Sequence, residues 1–288
     1  MKRNKFGRNK FRDCKKHEQI FAKKSLGQNF LQDVSVVERI CESTKIAGKT
    51  ILEVGPGTGF LTRQIIKSIP KELILIEKDS RIIDILNGLI AATPDVNIKL
   101  FNEDAQTFNL FEHFDKKITI IANLPYNIGT TLVMNCVEQI ERIEQMVLML
   151  QKEVVERLCA NPNSGDYGRI SVLAQSVCNV EHLFDVYPEC FNPQPKVMSA
   201  VVKITPKPAT EQPTKVEYEY LSLLCKIAFS QRRKKLVNVL KNDANFQNKF
   251  KNFDIYSFIP ADARAEDITV SEYLKIVREF LKTKPTDQ

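Results

Sequence analysis

Thr50-Ile51-Leu52-Glu53-Val54 runs without a break into Gly55-Pro56-Gly57-Thr58-Gly59, and a stretch with helical periodicity follows from Phe60 to Ile69. A short apolar strand, a glycine-rich turn and a helix in that order leave few folds open. Glycines permit a tight turn and let the backbone approach a ligand closely. The spacing is G-x-G-x-G, which differs from the G-x-G-x-x-G of dinucleotide binders, and no Gly-Lys-Ser/Thr of a phosphate loop follows. The same alternation continues downstream. Leu73–Ile76, Val96–Phe101, Ile118–Ala122 and Met146–Leu150 read as strands, and Arg81–Ala92 and Thr131–Gln139 as helices, with a further helix at Val34–Cys41 before them. Short buried strands alternating with helices predict an α/β fold with a mostly parallel sheet. Ile204–Lys215 carries Pro206, Pro208 and Pro213 and has the composition of a linker. Beyond it Tyr218–Phe229, Lys234–Leu240 and Val270–Leu281 read as helices, so a small all-helical domain is expected at the C-terminal end. The expected organisation is a basic, disordered tail over 1–24, the α/β domain over 25–205, a Pro-rich linker over 206–215 and the helical domain over 216–288.

With 288 residues, 43% of them hydrophobic, the chain is long enough for one large domain and a small one. No apolar run has the length of a membrane span, and the N-terminus lacks the apolar core of a signal peptide, so a cytoplasmic protein is expected. Asp13, Glu18 and the scarcity of serine argue against a mitochondrial transit peptide. The seven cysteines are scattered, with no C-x-x-C pair, as reduced cytosolic thiols are. His17, His113 and His182 stand apart from one another, and no metal site is expected. The net charge of +7 is concentrated in two places: the first 24 residues, and Arg232-Arg233-Lys234-Lys235. Clustered cations of this kind neutralise phosphates and release counterions; alone, they also fit a solvated tail and helix face.

Glu77 stands eighteen residues beyond Gly59, at the end of the next strand. A carboxylate there can accept from both hydroxyls of a ribose. Asp104, after the third strand, can accept from an adenine amine, and the Ala105 N–H can donate to a ring nitrogen. A pocket with these elements recognises an adenosine moiety. The tight turn preceded by acidic Glu53 suits S-adenosylmethionine, whose amino-acid part is zwitterionic and carries no phosphate.

Asn123-Leu124-Pro125-Tyr126 follows the fourth strand. The exocyclic amine of adenine is a poor nucleophile because its lone pair is delocalised into the ring. Acceptors holding both amine hydrogens favour a pyramidal, more nucleophilic nitrogen. The Asn123 side-chain oxygen and the Leu124 carbonyl can be those acceptors. Pro125 restricts Leu124 to extended conformations and so aims its carbonyl. Tyr126 offers a π-face for an extruded base, worth roughly 1–3 kcal/mol. The rest of catalysis is alignment.

These residues resemble the KsgA/Erm family of ribosomal RNA adenine N6-dimethyltransferases, from about Lys24 to near the C-terminus, and within it the KsgA/RsmA branch. Lys24-Ser25-Leu26-Gly27-Gln28-Asn29-Phe30-Leu31 is similar to the family's opening motif, which closes over the methionine end of the cofactor and implies cofactor contacts from Gln28, Asn29 and Leu31. Glu53–Thr62 is similar to its cofactor loop, with Gly55, Gly57 and Gly59. Glu77 with Lys78, Asp104 and Asn123–Tyr126 match its ribose, adenine and catalytic positions, and Asn123 is counted among the cofactor contacts as well. Phe191-Asn192-Pro193-Gln194-Pro195-Lys196-Val197-Met198-Ser199-Ala200-Val201-Val202 resembles a late motif in which Phe191 is a second aromatic wall for the target base; Met198 departs from the aspartate or arginine common there. Phe229–Leu236 is similar to the KsgA helical domain, and Leu124 stands where the Erm branch more often has isoleucine.

The resemblance implies a class I S-adenosylmethionine-dependent methyltransferase fold, Rossmann-like, followed by a helical RNA-binding domain. It implies a monomer that places two methyl groups on each of two adjacent adenosines near the 3′ end of 16S ribosomal RNA within the immature small subunit, with RNA contacts from Arg232, Arg233, Lys234 and Lys235. Three alternatives stay open: an Erm-type enzyme acting on 23S ribosomal RNA, a largely non-catalytic ribosome-assembly factor, and a DNA adenine methyltransferase. Leu124 disfavours the last, because DNA enzymes commonly have Asp/Asn-Pro-Pro-Tyr at this turn.

Overall fold

The structure is a computed structural model that describes residues 22–23, 26–108, 116–251 and 253–283. The expected disordered tail therefore lies, apart from Ala22 and Lys23, outside the described residues. In chain order the strands are β1 (Phe30–Leu31), β2 (Thr50–Val54), β3 (Glu72–Ile76), β4 (Ile98–Phe101), β5 (Ile118–Asn123), β6 (Ile143–Gln151), β7 (Cys178–Val186), β8 (Phe191–Asn192) and β9 (Ser199–Pro206). The helices are α1 (Val34–Glu42), α2 (Phe60–Lys67), α3 (Ser80–Ala91), α4 (Gly129–Val137), α5 (Lys152–Cys159), α6 (Arg169–Val177), α7 (Lys215–Ala228), α8 (Leu236–Lys241), α9 (Ala244–Lys249) and α10 (Val270–Thr283).

Seven strands form one sheet in the order β4-β3-β2-β5-β6-β9-β7. The first five run parallel, and β9 is antiparallel to both β6 and β7. Successive side chains of a strand face opposite sides of a sheet, and here both sides are apolar. Leu52, Ile74, Ile120 and Leu148 face a layer built from α4, α5 and α6. Ile51, Leu73, Leu75, Ile121 and Val147 face one built from α1, α2 and α3. That two-sided burial is why these strands read as unbroken apolar runs rather than alternating ones.

Strand order reverses between β2 and β5, which lie side by side with Ile51 opposite Thr119 and Leu52 opposite Ile120. In open α/β sheets the crevice beyond the carboxyl ends of the strands at such a reversal is where ligands bind. The glycine turn leaves β2 there, Glu77 follows β3, and Asn123 ends β5.

The C-terminal helices pack into a core of their own, with Leu221, Leu224, Leu236, Leu240, Tyr273, Val277 and Phe280 at its centre. Helix α7 opens on a capping box: Glu217 N–H donates to Thr214 Oγ1 and Thr214 N–H donates to a Glu217 carboxylate oxygen. This core is continuous with the α/β part. Helix α6 turns Ala174 and Val177 toward the sheet and Val172 and Leu173 toward the C-terminal helices. Several boundaries differ from the expected ones, among them those of α4 (Gly129–Val137 against Thr131–Gln139), β6 (Ile143–Gln151 against Met146–Leu150) and α7 (Lys215–Ala228 against Tyr218–Phe229). The coil expected over 204–215 is shorter, since β9 runs to Pro206 and α7 begins at Lys215; the strand expected from Val96 begins at Ile98; and Lys234 and Lys235 precede α8.

Candidate active site

Gly55 and Gly57 hold positive φ angles of 67° and 55°, a conformation that costs L-residues bearing a Cβ but not glycine. At Gly57 space adds to conformation, because a Cβ would lie 3.2 Å from the Phe30 ring. The turn is thus roofed by the N-terminal segment. Gly59 has a different role. It is the left-handed residue preceding α2, a Cβ there would meet Leu89 at 3.0 Å, and it does not line the cavity. Gly59 thus has a turn-forming and packing role beside the cofactor contact expected of it.

The other expected cofactor and catalytic positions converge on one cavity, lined among others by Gln28, Asn29, Leu31, Glu53, Gly55, Gly57, Glu77, Lys78, Asp104, Ala105, Asn123, Leu124, Pro125, Tyr126 and Phe191. Phe30, Phe60 and Asn127 line it too, without having been singled out from the sequence. Phe30 lay inside the opening motif, where its aromatic character next to a glycine turn was the available signal.

Glu77 is 5% exposed. Its Oε2 accepts from Gly57 N–H at 3.1 Å and its Oε1 from Asp79 N–H at 2.8 Å. Burial raises its pKa, and those backbone donors oppose the rise. Asp79 in turn accepts from the Gln28 side-chain amide at 2.9 Å. Chiefly through the Arg81 guanidinium, its pKa is held down at about 2. The N-terminal segment is therefore tied through Asp79 to the residue that supports Glu77. Asp104 accepts from Lys78 Nζ at 2.7 Å and from Gln106 N–H at 3.0 Å, so the carboxylate expected to meet an adenine amine also carries an ion pair that the sequence did not reveal.

Glu53 is 1% exposed, and its Oε2 has no hydrogen-bond partner among the described residues. Burial pushes its pKa up to about 8; the nearby Thr62 hydroxyl opposes this and the Glu77 charge adds to it. A buried carboxylate oxygen without a donor, on the wall of a cavity that Glu77 also lines, fits a ligand that carries both an ammonium and a ribose. S-adenosylmethionine is such a ligand. A nearby cation favours the ionised carboxylate, so binding lowers the Glu53 pKa and releases protons at pH 7. Calorimetry in buffers of differing ionisation enthalpy is expected to show that release, with affinity rising from pH 6 toward pH 8. Glu53→Gln should bind more weakly and release none; an unchanged proton count in that variant would remove the role.

Asn123 ends β5, and its side-chain nitrogen donates to the Asn29 carbonyl at 3.5 Å, leaving Oδ1 as an acceptor. Leu124 N–H donates to Met149 O on the neighbouring strand at 3.1 Å. The turn closes on Pro125, whose carbonyl accepts from the N–H groups of Ile128 and Gly129, both at 3.1 Å. Phe191 is buried on β8, which pairs with β1 so that Leu31 stands opposite Phe191. Met198 is partly buried, and its carbonyl accepts from Lys152 N–H at 2.9 Å.

The basic run at 232–235 divides. Arg233 and Lys234 are exposed, and Lys235 pairs with Asp262. The guanidinium of Arg232 donates to the carbonyls of Gly165 and Tyr167, each at 2.8 Å, and to Glu266 at 3.1 Å. It clamps the α5–α6 loop to the C-terminal helices, a structural task that the sequence reading did not assign to it. Arg232→Ala should cost about 1–3 kcal/mol and lower the thermal midpoint by several degrees, whereas Arg233→Ala and Lys234→Ala should leave it nearly unchanged. A calorimetric scan showing equal midpoints for all three would contradict the clamp.

Among the described residues no group of His, Cys, Asp or Glu could hold a metal ion, and no helix is long and apolar enough to cross a membrane. The family model for ribosomal RNA adenine dimethylase matches residues 20–282. The ribosomal RNA small subunit methyltransferase A of Pseudomonas syringae pv. syringae is 41% identical over 76% of this chain and 82% of its own. That of Saccharophagus degradans is 39% identical over 88% and 93%. Among solved structures, a dimethyladenosine transferase from Plasmodium falciparum superposes with a TM-score of 0.75 at 26% identity, covering 88% of this chain and 98% of that one. The 23S rRNA methyltransferase ErmE shares the fold, with a TM-score of 0.66 at 22% identity over 88% and 100%. With a glycine turn, a paired Glu53 and Glu77 and the Asn123–Tyr126 turn on one cavity, and a family match over nearly its whole length, the chain belongs to the ribosomal RNA adenine dimethylases, which are S-adenosylmethionine-dependent enzymes.

Proposed function

We propose that this protein methylates N6 of two adjacent adenosines near the 3′ end of 16S ribosomal RNA, giving N6,N6-dimethyladenosines during maturation of the small subunit in the cytoplasm, and that it acts as a monomer. The observation carrying the small-subunit substrate is the identity of about 40% to small-subunit methyltransferases over most of both chains.

S-adenosylmethionine supplies an electrophilic methyl group on a sulfonium. The chain's own residues bind and orient. Glu77 accepts from ribose hydroxyls through the lone pairs that Gly57 and Asp79 do not use. Asp104 and the Ala105 backbone read the adenine, with Lys78 beside them. Glu53 meets the ammonium, and Gln28, Asn29 and Leu31 close that end. The target base is flipped out of the RNA between Tyr126 and Phe191. Asn123 Oδ1 and the Leu124 carbonyl hold its amine hydrogens, and no strong base is required, because the nitrogen's proton becomes acidic once it is alkylated. Arg233, Lys234 and Lys235 offer phosphate contacts, consistent with recognition of RNA by shape and backbone.

The test is expression in a bacterial strain lacking its own 16S enzyme, with dimethyladenosine mapped in both ribosomal RNAs. Restored kasugamycin sensitivity and modified 16S RNA are expected. Erythromycin resistance with modified 23S RNA would replace this reading with the Erm type, and no modification in either RNA would favour a binding-only assembly factor.

A further inference from the structure

Ser199 opens β9 and is fully buried, in register with Gln151 of β6 on one side and Val186 of β7 on the other. The residues after it are Ala200, Val201 and Val202, all buried. A hydroxyl in such a run carries a desolvation cost unless it is bonded. Its partner is the Tyr126 hydroxyl, at 2.6 Å and 73 residues away in sequence. Tyr126 is thereby held at both ends. Its backbone is fixed by the turn that closes on Pro125, and its phenol is fixed to the central sheet.

The segment carrying Ser199 also carries Phe191, and both ends of that segment are anchored. Phe191 is paired to β1, while Ser199 is paired to β6 and β7. One stretch of chain therefore supplies one aromatic wall of the cavity and the tether of the other. Without that tether the phenol end of Tyr126 is free to swing, and the gap between the walls is no longer defined by the sheet.

We infer that Ser199 is a positioning residue for the reaction: through its bond to the Tyr126 hydroxyl it sets the ring face, and the gap to Phe191, into which the target base is received. This rests on the reading of Tyr126 and Phe191 as base-stacking walls in the proposed function. Ser199 does not line the cavity, so its removal should act on turnover and base stacking through Tyr126.

The experiment is a double-mutant cycle of Ser199→Ala and Tyr126→Phe, assayed on immature small subunits with labelled cofactor. The cycle is paired with the fluorescence of a 2-aminopurine placed at the target adenosine of a bound RNA. Each single variant is expected to lower kcat about tenfold, the size of one lost hydrogen bond. Cofactor affinity should stay near wild type, the thermal midpoint should fall by a few degrees because the partner hydroxyl is left unbonded, and the fluorescence signature of the flipped base should be altered alike in both. The double variant should fall no further than either single one, because both remove the same bond. A Ser199→Ala enzyme with wild-type kcat and fluorescence overturns the inference while leaving the proposed function standing, and so do losses that multiply in the double variant. Absence of label in 16S RNA with the wild-type protein overturns the proposed substrate together with the inference built on it.

Discussion

Asn123→Ala is expected to reduce methyl transfer about 100-fold or more, or ~2.7 kcal/mol in barrier, while cofactor affinity changes little. The amine of adenine must lose its conjugation with the ring before it can attack. An acceptor fixed at the amine is worth more as the nitrogen becomes pyramidal than it was in the bound ground state. Interactions realised chiefly in the transition state lower kcat when removed and leave binding largely intact. Removal of one preorganised partner from a water-poor site costs about 10²–10³ in rate in comparable cases. Asn123 is preorganised in that sense. Its backbone ends β5 opposite Met149, and its amide nitrogen lies 3.5 Å from the Asn29 carbonyl, which leaves the oxygen available as an acceptor. Single-turnover rates with saturating RNA, set beside cofactor titrations, separate the two quantities. A rate within about tenfold of wild type, ~1.4 kcal/mol, would show that Asn123 does not hold the amine.

How far the site could be read from the sequence depended on whether a residue's position follows from local pattern or from distant pairing. Gly55, Gly57, Glu77, Asp104 and Asn123 each lie at or just beyond the carboxyl end of a parallel strand, and a sheet of this class gathers the ends of such strands at one edge. Their convergence was therefore legible before any coordinates. The second role of Gly59 was not legible, because a glycine in a nucleotide turn and a glycine starting the next helix look alike in sequence; the Leu89 contact that requires a glycine there comes from α3. Arg232 looked like its neighbours 233–235, yet its partners Gly165, Tyr167 and Glu266 lie 34 to 67 residues away and are brought to it by helix packing. Strand β7 was not assigned from the sequence; it is an edge strand with mixed exposure and an irregular register near His182 and Phe184. The Tyr126–Ser199 bond was hidden for the same reason as the Arg232 clamp. Sheet order, which no local window encodes, decides who sits across from whom.

Glu77→Gln should weaken cofactor binding nearly as much as Glu77→Ala, by about 100-fold, because at this position the amide is not a conservative substitute. Each carboxylate oxygen already accepts a backbone N–H, Oε2 from Gly57 and Oε1 from Asp79. A glutamine has one acceptor oxygen and one donor nitrogen, so whichever way it is turned, its NH2 group faces one of those N–H donors. One bond is lost, a donor is left facing a donor in a nearly buried place, and either the glycine turn or the Asp79 support loosens. The negative charge is lost as well. Hydrogen bonds to a charged acceptor contribute about 1.5–3 kcal/mol each, and the loss of two ribose contacts at the lower figure already gives that 100-fold. Burial raises the Glu77 pKa, so acidification should mimic the substitution: protonation removes the charged acceptor, and wild-type affinity should fall as pH drops toward the carboxylate range. Equilibrium titration of the three proteins at neutral and acid pH tests this directly. A Glu77→Gln variant that binds within a few-fold of wild type would mean that the ribose is held elsewhere and that Glu77 serves only to brace the Gly57 turn.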